Sequence, residues 1–232
     1  MIIQDEEFGK ITVRRSARST QVRVRVAPDG TLRASLPLYT PLFFVKRLLK
    51  SSRNELRAIL QQSQPEQVYA DGMQIGKSHS LRIIHSTSSA KVVKISRRAQ
   101  FITVILPSNK KIDDSDVVRE IRDNVISALR LEAKSYLPKR LSYLSDALAL
   151  QYKKVRFSHA SGRWGSCSST GTISLNIALM KLPFELIDYV LIHELCHTEH
   201  MNHSTEFWLL VESADPEYRL HRRTLKKETP TI

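Results

Sequence analysis

The sequence predicts an α+β protein, on three observations. Segments of strict apolar and polar alternation, such as QVRVRV at 21–26, recur through the first 110 positions. After Asp113 the apolar spacing changes to that of a helix. Near the carboxyl end an almost wholly apolar helical run, FELIDYVLIHELCHTEH, closes in a cluster of histidines. The expected organisation is a basic, β-rich amino-terminal region of mixed strand and helix over 1–110. A domain over 111–232 follows, in which the histidine-bearing helix packs on a small sheet. A chain of 232 residues is long enough for two units that each bury a core.

The elements follow in order. QVRVRV sets Val22, Val24 and Val26 on one face and Arg23 and Arg25 on the other, as in a half-buried strand. The turn-forming A-P-D-G at 27–30 leads into TLRASLP, where Leu32, Ala34 and Leu36 repeat the alternation, so the two segments form a hairpin. Pro41 opens a helix with Phe44, Leu48, Leu56 and Leu60 toward one face, and a loop follows from Gln64 to Gly76. SLRIIHS, AKVVKIS and QFITVILP are three further strands, none with a catalytic constellation. From Asp113 to about Leu150 a capping cluster of Asp and Ser precedes Val118, Ile121, Val125 and Leu129 at helical spacing, and Pro138 is expected to kink or divide that helix. YKKVRFSH is then a strand, SGRWGSCSSTG a turn rich in Gly and Ser, and TISLN a second strand. Pro183 suits the first position of the next predicted helix, FELIDYVLIHELCHTEH, with Glu185 and Asp188 in its first turns, where the macrodipole favours acids.

Hydrophobic residues make up 41% and charged residues 25%, the composition of an ordinary globular protein. The start, MIIQDEEFGK, is acidic where a signal peptide would be basic, and no apolar run approaches the roughly 18 residues of a membrane span, so a cytoplasmic protein is expected. Cys167 and Cys196 are too few for a disulfide framework and are expected as thiols. The formal net charge is +13, and residues 151–232 are almost balanced, so the excess lies in the first 150. Such a field attracts nucleic acid or another polyanion; it is equally the pattern of a solvated basic face, because no aromatics interleave with the arginines.

HELCHTEHMNHSTEFW at 193–208 concentrates histidine as nowhere else in the chain. His193, Glu194 and His197 interrupt a buried helix, and buried imidazoles beside a carboxylate are costly without a partner. A divalent cation supplies one. Positions 193 and 197 differ by about 40° around a helix axis and one turn along it, so both rings reach one ion, while Glu194 lies about 100° away, where it can act on a water without being a ligand. A catalytic zinc site takes three protein ligands and keeps an open position. On a continuing helix His200 would lie about 10 Å along the axis from His193, too far to share the ion. His203 is preferred as the third ligand, because MNH can leave the helix, Asn202 tolerating a left-handed turn. Glu212 and Glu217 rank below it.

RWGSC at 163–167, GTISLN at 171–176 and IDYVLIHELCHTEHMNHSTEFW at 187–208 together resemble the YgjP-like metallopeptidases, relatives of SprT-like proteins and other zincins. VRRSARSTQVRVRVAPDG resembles that family's amino-terminal half. The resemblance implies a zincin-like peptidase fold with one zinc ion at His193, His197 and His203 and the catalytic acid at Glu194. Metzincins share the third-histidine spacing but place Gly where this chain has His200, so their loop conformation is not carried over.

The function expected is zinc-assisted hydrolysis of peptide bonds, with Glu194 taking a proton from water and passing it to the leaving amine. TISLN is expected to be the edge strand along which a peptide substrate pairs. Arg163 and His159 are near enough in sequence to stabilise an oxyanion, though each has an ordinary structural reading. Trp164, Cys167 and Cys196 suit packing beside the site, Phe207 and Trp208 suit pinning the next helix to the core, and Ser204 or Thr205 suits capping it. The alternative is a nucleic-acid-associated protein acting through its basic amino-terminal half, the metal being structural or supporting proteolysis near DNA. An open zinc position beside Glu194 favours catalysis, since structural sites are closed by four ligands.

Overall fold

The structure, a computed structural model, describes residues 1–17, 19–26, 32–63, 69–86 and 92–232. It divides into two compact units, Met1–Val68 and Tyr69–Ile232.

In the first unit β1 (Ile2–Asp5), β2 (Gly9–Arg15), β3 (Arg23–Val26) and β4 (Leu32–Leu36) form one sheet in the order β1-β2-β4-β3. The expected hairpin is present, with Val24 opposite Ala34 and Val26 opposite Leu32; its A-P-D-G turn lies outside the described residues. The first two strands went unrecognised, although Ile11 and Val13 alternate with Thr12 and Arg14 and are buried. Helices α1 (Phe43–Ser51) and α2 (Arg53–Ser63) supply Val45, Leu49 and Leu56 to a core shared with Ile3, Ile11, Val13 and Leu36. The single helix expected after Pro41 is thus two. The break falls at Ser52; within α1 the buried residues are Val45 and Leu49, one position on from Phe44 and Leu48, and Phe44 is exposed, whereas Leu56 of α2 is buried as expected. Of the loop expected over 64–76, residues 64–68 lie outside the described residues.

The second unit opens with β5 (Ser80–Ser86), β6 (Lys94–Arg98) and β7 (Phe101–Pro107), in the order β5-β7-β6. Of the expected AKVVKIS strand, residues 90 and 91 lie outside the described residues. Helix α3 (Ser115–Leu148) then runs without interruption through Pro138. Proline removes one ladder bond, but Leu137 and Leu141 on either side are fully buried, and that packing keeps the helix from dividing there. Beyond α3 come β8 (Lys154–Ser158), β9 (Gly165–Cys167) and β10 (Thr172–Asn176), ordered β8-β10-β9, then a short 3-10 helix (Ile177–Lys181), α4 (Phe184–Cys196), α5 (Thr205–Ala214) and α6 (Tyr218–Leu225). Leu81, Ile102, Val104 and Leu106 of the first sheet share one core with Ile121, Leu129 and Leu137 of α3 and with Ile173, Leu175, Leu191 and Leu195. The compact units therefore divide after Val68 and not at the expected 110/111 position, because the β5–β7 sheet buries its apolar face in the same core as α3. Among the described residues no helix is long and apolar enough to cross a membrane.

One polar contact ties the start of this unit to α3. Glu132, buried on that helix, accepts hydrogen bonds from the backbone N–H of Lys77 at 2.6 Å, Ser78 at 3.0 Å and His79 at 3.1 Å, and from the Ser78 hydroxyl at 2.9 Å. His79 Nδ1 adds a fifth at 2.5 Å. Gly76 allows the approach: a Cβ there would overlap the Glu132 carboxylate.

Candidate metal centre

Helix α4 is apolar nearly all round. Leu186, Ile187, Val190, Leu191, Ile192 and Leu195 are buried, as expected of a helix enclosed on every side. Arg140 of α3 grips Asp188 with two hydrogen bonds, Nε to Oδ1 at 2.8 Å and Nη2 to Oδ2 at 2.7 Å, a forked geometry that sets α4 on α3. Pro183 is the residue before the helix, not its first turn.

The helix ends at Cys196. The N–H of His200 bonds back to Cys196 O at 3.0 Å, and His197 Nδ1 donates to the His200 carbonyl at 2.9 Å. That bond leaves His197 Nε2 as the free lone pair. The chain then turns back, and His203 Nε2 comes within 3.1 Å of His193 Nε2. Ligand atoms of His193, His197 and His203 all lie within 4.8 Å of one another. His200 contributes a backbone carbonyl and no ring. Asn202 does not make the expected left-handed turn, since Ala99 and Ala149 are the non-glycine residues with positive φ among those described. Glu212 pairs with Arg219 at 3.3 Å, and the Glu217 side chain is 74% exposed; neither joins the cluster.

Aromatic packing fixes the rings. Phe207, fully buried, stacks on His197 at 4.5 Å and meets His193 and His203 edge-on. Trp208 stacks on His203 at 5.4 Å and on Tyr218 of α6 at 5.6 Å, with the Arg222 guanidinium 4.5 Å from the indole. The sequence suggested that Phe207 and Trp208 pin α5; they also wall the histidines. The Ser204 hydroxyl accepts from Phe207 N–H and caps α5, as expected. Burial, reinforced by the neighbouring His197 and His203 and by Arg222, pushes His193 down to about 3. Burial, His197 and Arg222 also lower His203. Both rings are held neutral, the state in which a lone pair is available to a metal.

Glu194 is 5% exposed and stands outside the cluster. Its carboxylate lies against Gly165 of β9, where a Cβ would fall 2.5 Å from Oε1 and 2.7 Å from Cγ. Oε2 is buried with no hydrogen-bond partner. Burial pushes Glu194 up to about 8, opposed by the charge of Arg163. The turn that presents Gly165 is locked by Asn176, wholly buried at the end of β10. Its Nδ2 donates to Ala160 O at 2.7 Å and Arg163 O at 3.0 Å, and its N–H donates to Trp164 O at 2.8 Å. Sequence reasoning missed both Gly165 and Asn176. Their signal was there: a Gly inside a tryptophan-containing turn, and an Asn closing an otherwise apolar strand.

The topology corrects one expectation. β10, the TISLN strand, is central in its sheet, and the edge beside Glu194 is β9, formed from residues that read as a turn. Cys167 in that edge is half-buried, and burial together with Glu194 raises its thiol pKa. Cys196 is fully buried, pushed up to about 12 by burial. Both are free and behave as small apolar groups. Trp164 packs partly buried against the core, and His159 meets Arg130, Nδ1 to Nη2 at 3.3 Å.

These residues fit a divalent ion. Two ligands at 2.0–2.1 Å in a tetrahedral site stand about 3.4 Å apart, close to the observed Nε2 to Nε2 separation, and three imidazoles form the nitrogen donor set that zinc accepts.

The family described as YgjP-like, metallopeptidase domain, matches residues 20–228. The crystal structure of the metallopeptidase zymogen of Pyrococcus abyssi abylysin is similar at 33% sequence identity, covering 39% of this chain and 92% of that chain, with a TM-score of 0.35. No curated protein matches. The family match takes in the hairpin, the RWGSC and GTISLN segments and the whole histidine cluster, and on that ground the chain belongs to the YgjP-like metallopeptidases.

Proposed function

We propose that the protein is a zinc-dependent peptidase in which one zinc ion is held by His193, His197 and His203 and Glu194 is the general base. The observation that carries this reading is the convergence of three imidazoles beside a buried carboxylate that is not one of their number. When bound, zinc supplies Lewis acidity toward a carbonyl and brings the pKa of a water toward about 7. Every other contribution comes from the chain. His197 is oriented by the His200 carbonyl, and Phe207 and Trp208 hold the rings in register. Three protein ligands leave one position open, as catalysis requires. Glu194, buried beside the ligands, takes the proton of a water and delivers it to the leaving amine nitrogen. A peptide substrate in extended form pairs along the free edge of β9. Two free thiols suit a reducing compartment such as the cytoplasm.

The test pairs elemental analysis with turnover of a fluorogenic peptide. One zinc per chain is expected, kept by Glu194→Gln while turnover falls by at least about 10²-fold. His203→Ala is expected to lose the ion and His200→Ala to keep it. Zinc released by His200→Ala but not by His203→Ala would overturn the ligand assignment, and an active Glu194→Gln would overturn the general base.

A further inference from the structure

We propose that Arg222 of α6 is a substrate-binding residue that receives a carboxylate of the peptide, either an acidic side chain one or two residues from the scissile bond or a free carboxyl terminus. The inference rests on the peptidase reading of the same centre and deepens it by naming a substrate class. Arg222 is exposed, and its guanidinium lies over the indole of Trp208, 4.5 Å from the ring centre. That indole stacks on His203 at 5.4 Å and stands 5.9 Å from His193. The guanidinium is therefore within about 10 Å of both imidazole centres, and an extended peptide advances about 3.3 Å per residue, so an acid one or two residues from the scissile bond reaches it. Its charge is felt at the centre: after burial and the neighbouring histidines, Arg222 is the next cause that lowers His193 and His203.

Packing holds the guanidinium in place. Tyr218 and Arg222 are one turn apart on α6 and meet the same indole, Tyr218 stacked on it at 5.6 Å. A guanidinium laid over an aromatic face keeps the N–H donors at its rim free, and their planar fork loses little freedom when a carboxylate takes two of them.

No acid of the chain fills that role. Among the described residues Arg222 has no carboxylate within 4.0 Å. The acids that follow His200 are turned to other groups: Glu206 to the Ser204 hydroxyl, Glu212 to Arg219 at 3.3 Å, Asp215 to His221 at 2.7 Å, Glu217 to His221 at 4.0 Å, and Glu228 toward Lys181. Arg219, the other guanidinium that meets Tyr218, is thus paired, whereas Arg222 is not. Like charges repel, so a guanidinium beside a centre suited to a divalent cation is a cost to the resting protein. A carboxylate that arrives with the substrate offsets it, and the offset is gained only when that substrate is bound.

The experiment is titration calorimetry of blocked decapeptides of Ala and Ser with one central Glu, Gln or Lys, and of the Gln peptide with a free carboxyl terminus, into the zinc-loaded full chain carrying Glu194→Gln so that the peptide is not consumed. The Glu peptide is expected to bind at least about fivefold more tightly than the Gln peptide, as for a guanidinium–carboxylate pair at an exposed site, and the Lys peptide more weakly than either. Adding Arg222→Gln should bring the Glu to Gln ratio to about one, and Arg222→Glu should reverse the order in favour of Lys. A preference for the free carboxyl terminus over the central Glu, lost with Arg222→Gln, supports the proposal and assigns the carboxylate to the chain end. Equal binding of the Glu and Gln peptides overturns it, as does a preference that survives Arg222→Gln or the lack of any binding of the Glu peptide at millimolar concentration. Loss of zinc from Arg222→Gln, or an equal weakening of all four peptides, marks a role in the aromatic wall alone and overturns it as well. Cleavage of the same peptides by the wild type separates the two readings. If none is cleaved, the peptidase reading falls and the binding ratios still judge Arg222; cleavage indifferent to charge and to Arg222→Gln overturns this inference alone.

Discussion

Gly165 shows how a residue with no side chain can govern a buried carboxylate. Its Cα faces the Glu194 carboxylate, and its backbone is held in register opposite Leu175 of β10, so an added methyl has nowhere to go. Gly165→Ala is expected to displace Glu194 and lower kcat by at least about tenfold, since a misplacement of about 1 Å can cost 10²-fold. Bound zinc should stay near one per chain, because His193, His197 and His203 are not touched. A fully active variant, measured as turnover beside zinc content, would detach Gly165 from the site. Phe207 is the complementary case, a large ring filling the space between three imidazoles. Phe207→Ala is expected to cost about 3–5 kcal/mol and to weaken zinc retention, read by thermal denaturation and by competition with a chelator. At this scale His193, Glu194 and His197 were legible in the sequence, because helical pitch alone relates them. Gly165 was not, because its meaning lies in a contact with a residue on another element.

Between elements, Glu132 joins α3 to the loop before β5. Burial raises its pKa, but hydrogen bonds from His79, from the N–H groups of Lys77 and Ser78 and from the Ser78 hydroxyl outweigh that and hold the carboxyl below its usual 4.5. A pKa lowered in the folded state stabilises the protein above the unfolded value and ceases to do so as pH falls through the folded one. The wild-type Tm should therefore fall on acidification below about 4.5, and Glu132→Gln should show a flatter profile there. At neutral pH the same substitution is expected to cost about 3 kcal/mol, because buried donors lose a charged acceptor. A Tm against pH curve with the same slope in both proteins would remove Glu132 from this role. The long α3 was legible from its spacing, but its continuity through Pro138 was not, because flanking leucines buried in the core override the local penalty. β9 escaped for a related reason: its three residues read as a turn until β10 lies beside them.

Over the whole molecule, Met1–Val68 and Tyr69–Ile232 each have a separate apolar core. Calorimetry of the full chain is expected to resolve two transitions, and zinc should raise only that of residues 69–232, where all three histidines lie. At a thousandfold excess over Kd the stabilisation is about 4 kcal/mol. A single transition moved as a whole by zinc would show that the units unfold together. The sequence by itself determined the α+β class, the hairpin of Val24 and Ala34, the long helix, and a turn-spaced His193 and His197 with Glu194 turned aside. Each of these follows from a local period of two or of 3.6 residues, which the chain carries in its own order. Only the tertiary structure decided that the first unit ends at Val68, that β9 and not β10 is the free edge, that Asn176 locks the turn holding Gly165 to Glu194, and that His203 swings back to His193. Those outcomes depend on which distant apolar faces bury one another and which buried polar groups find partners, and neither is written in any local period.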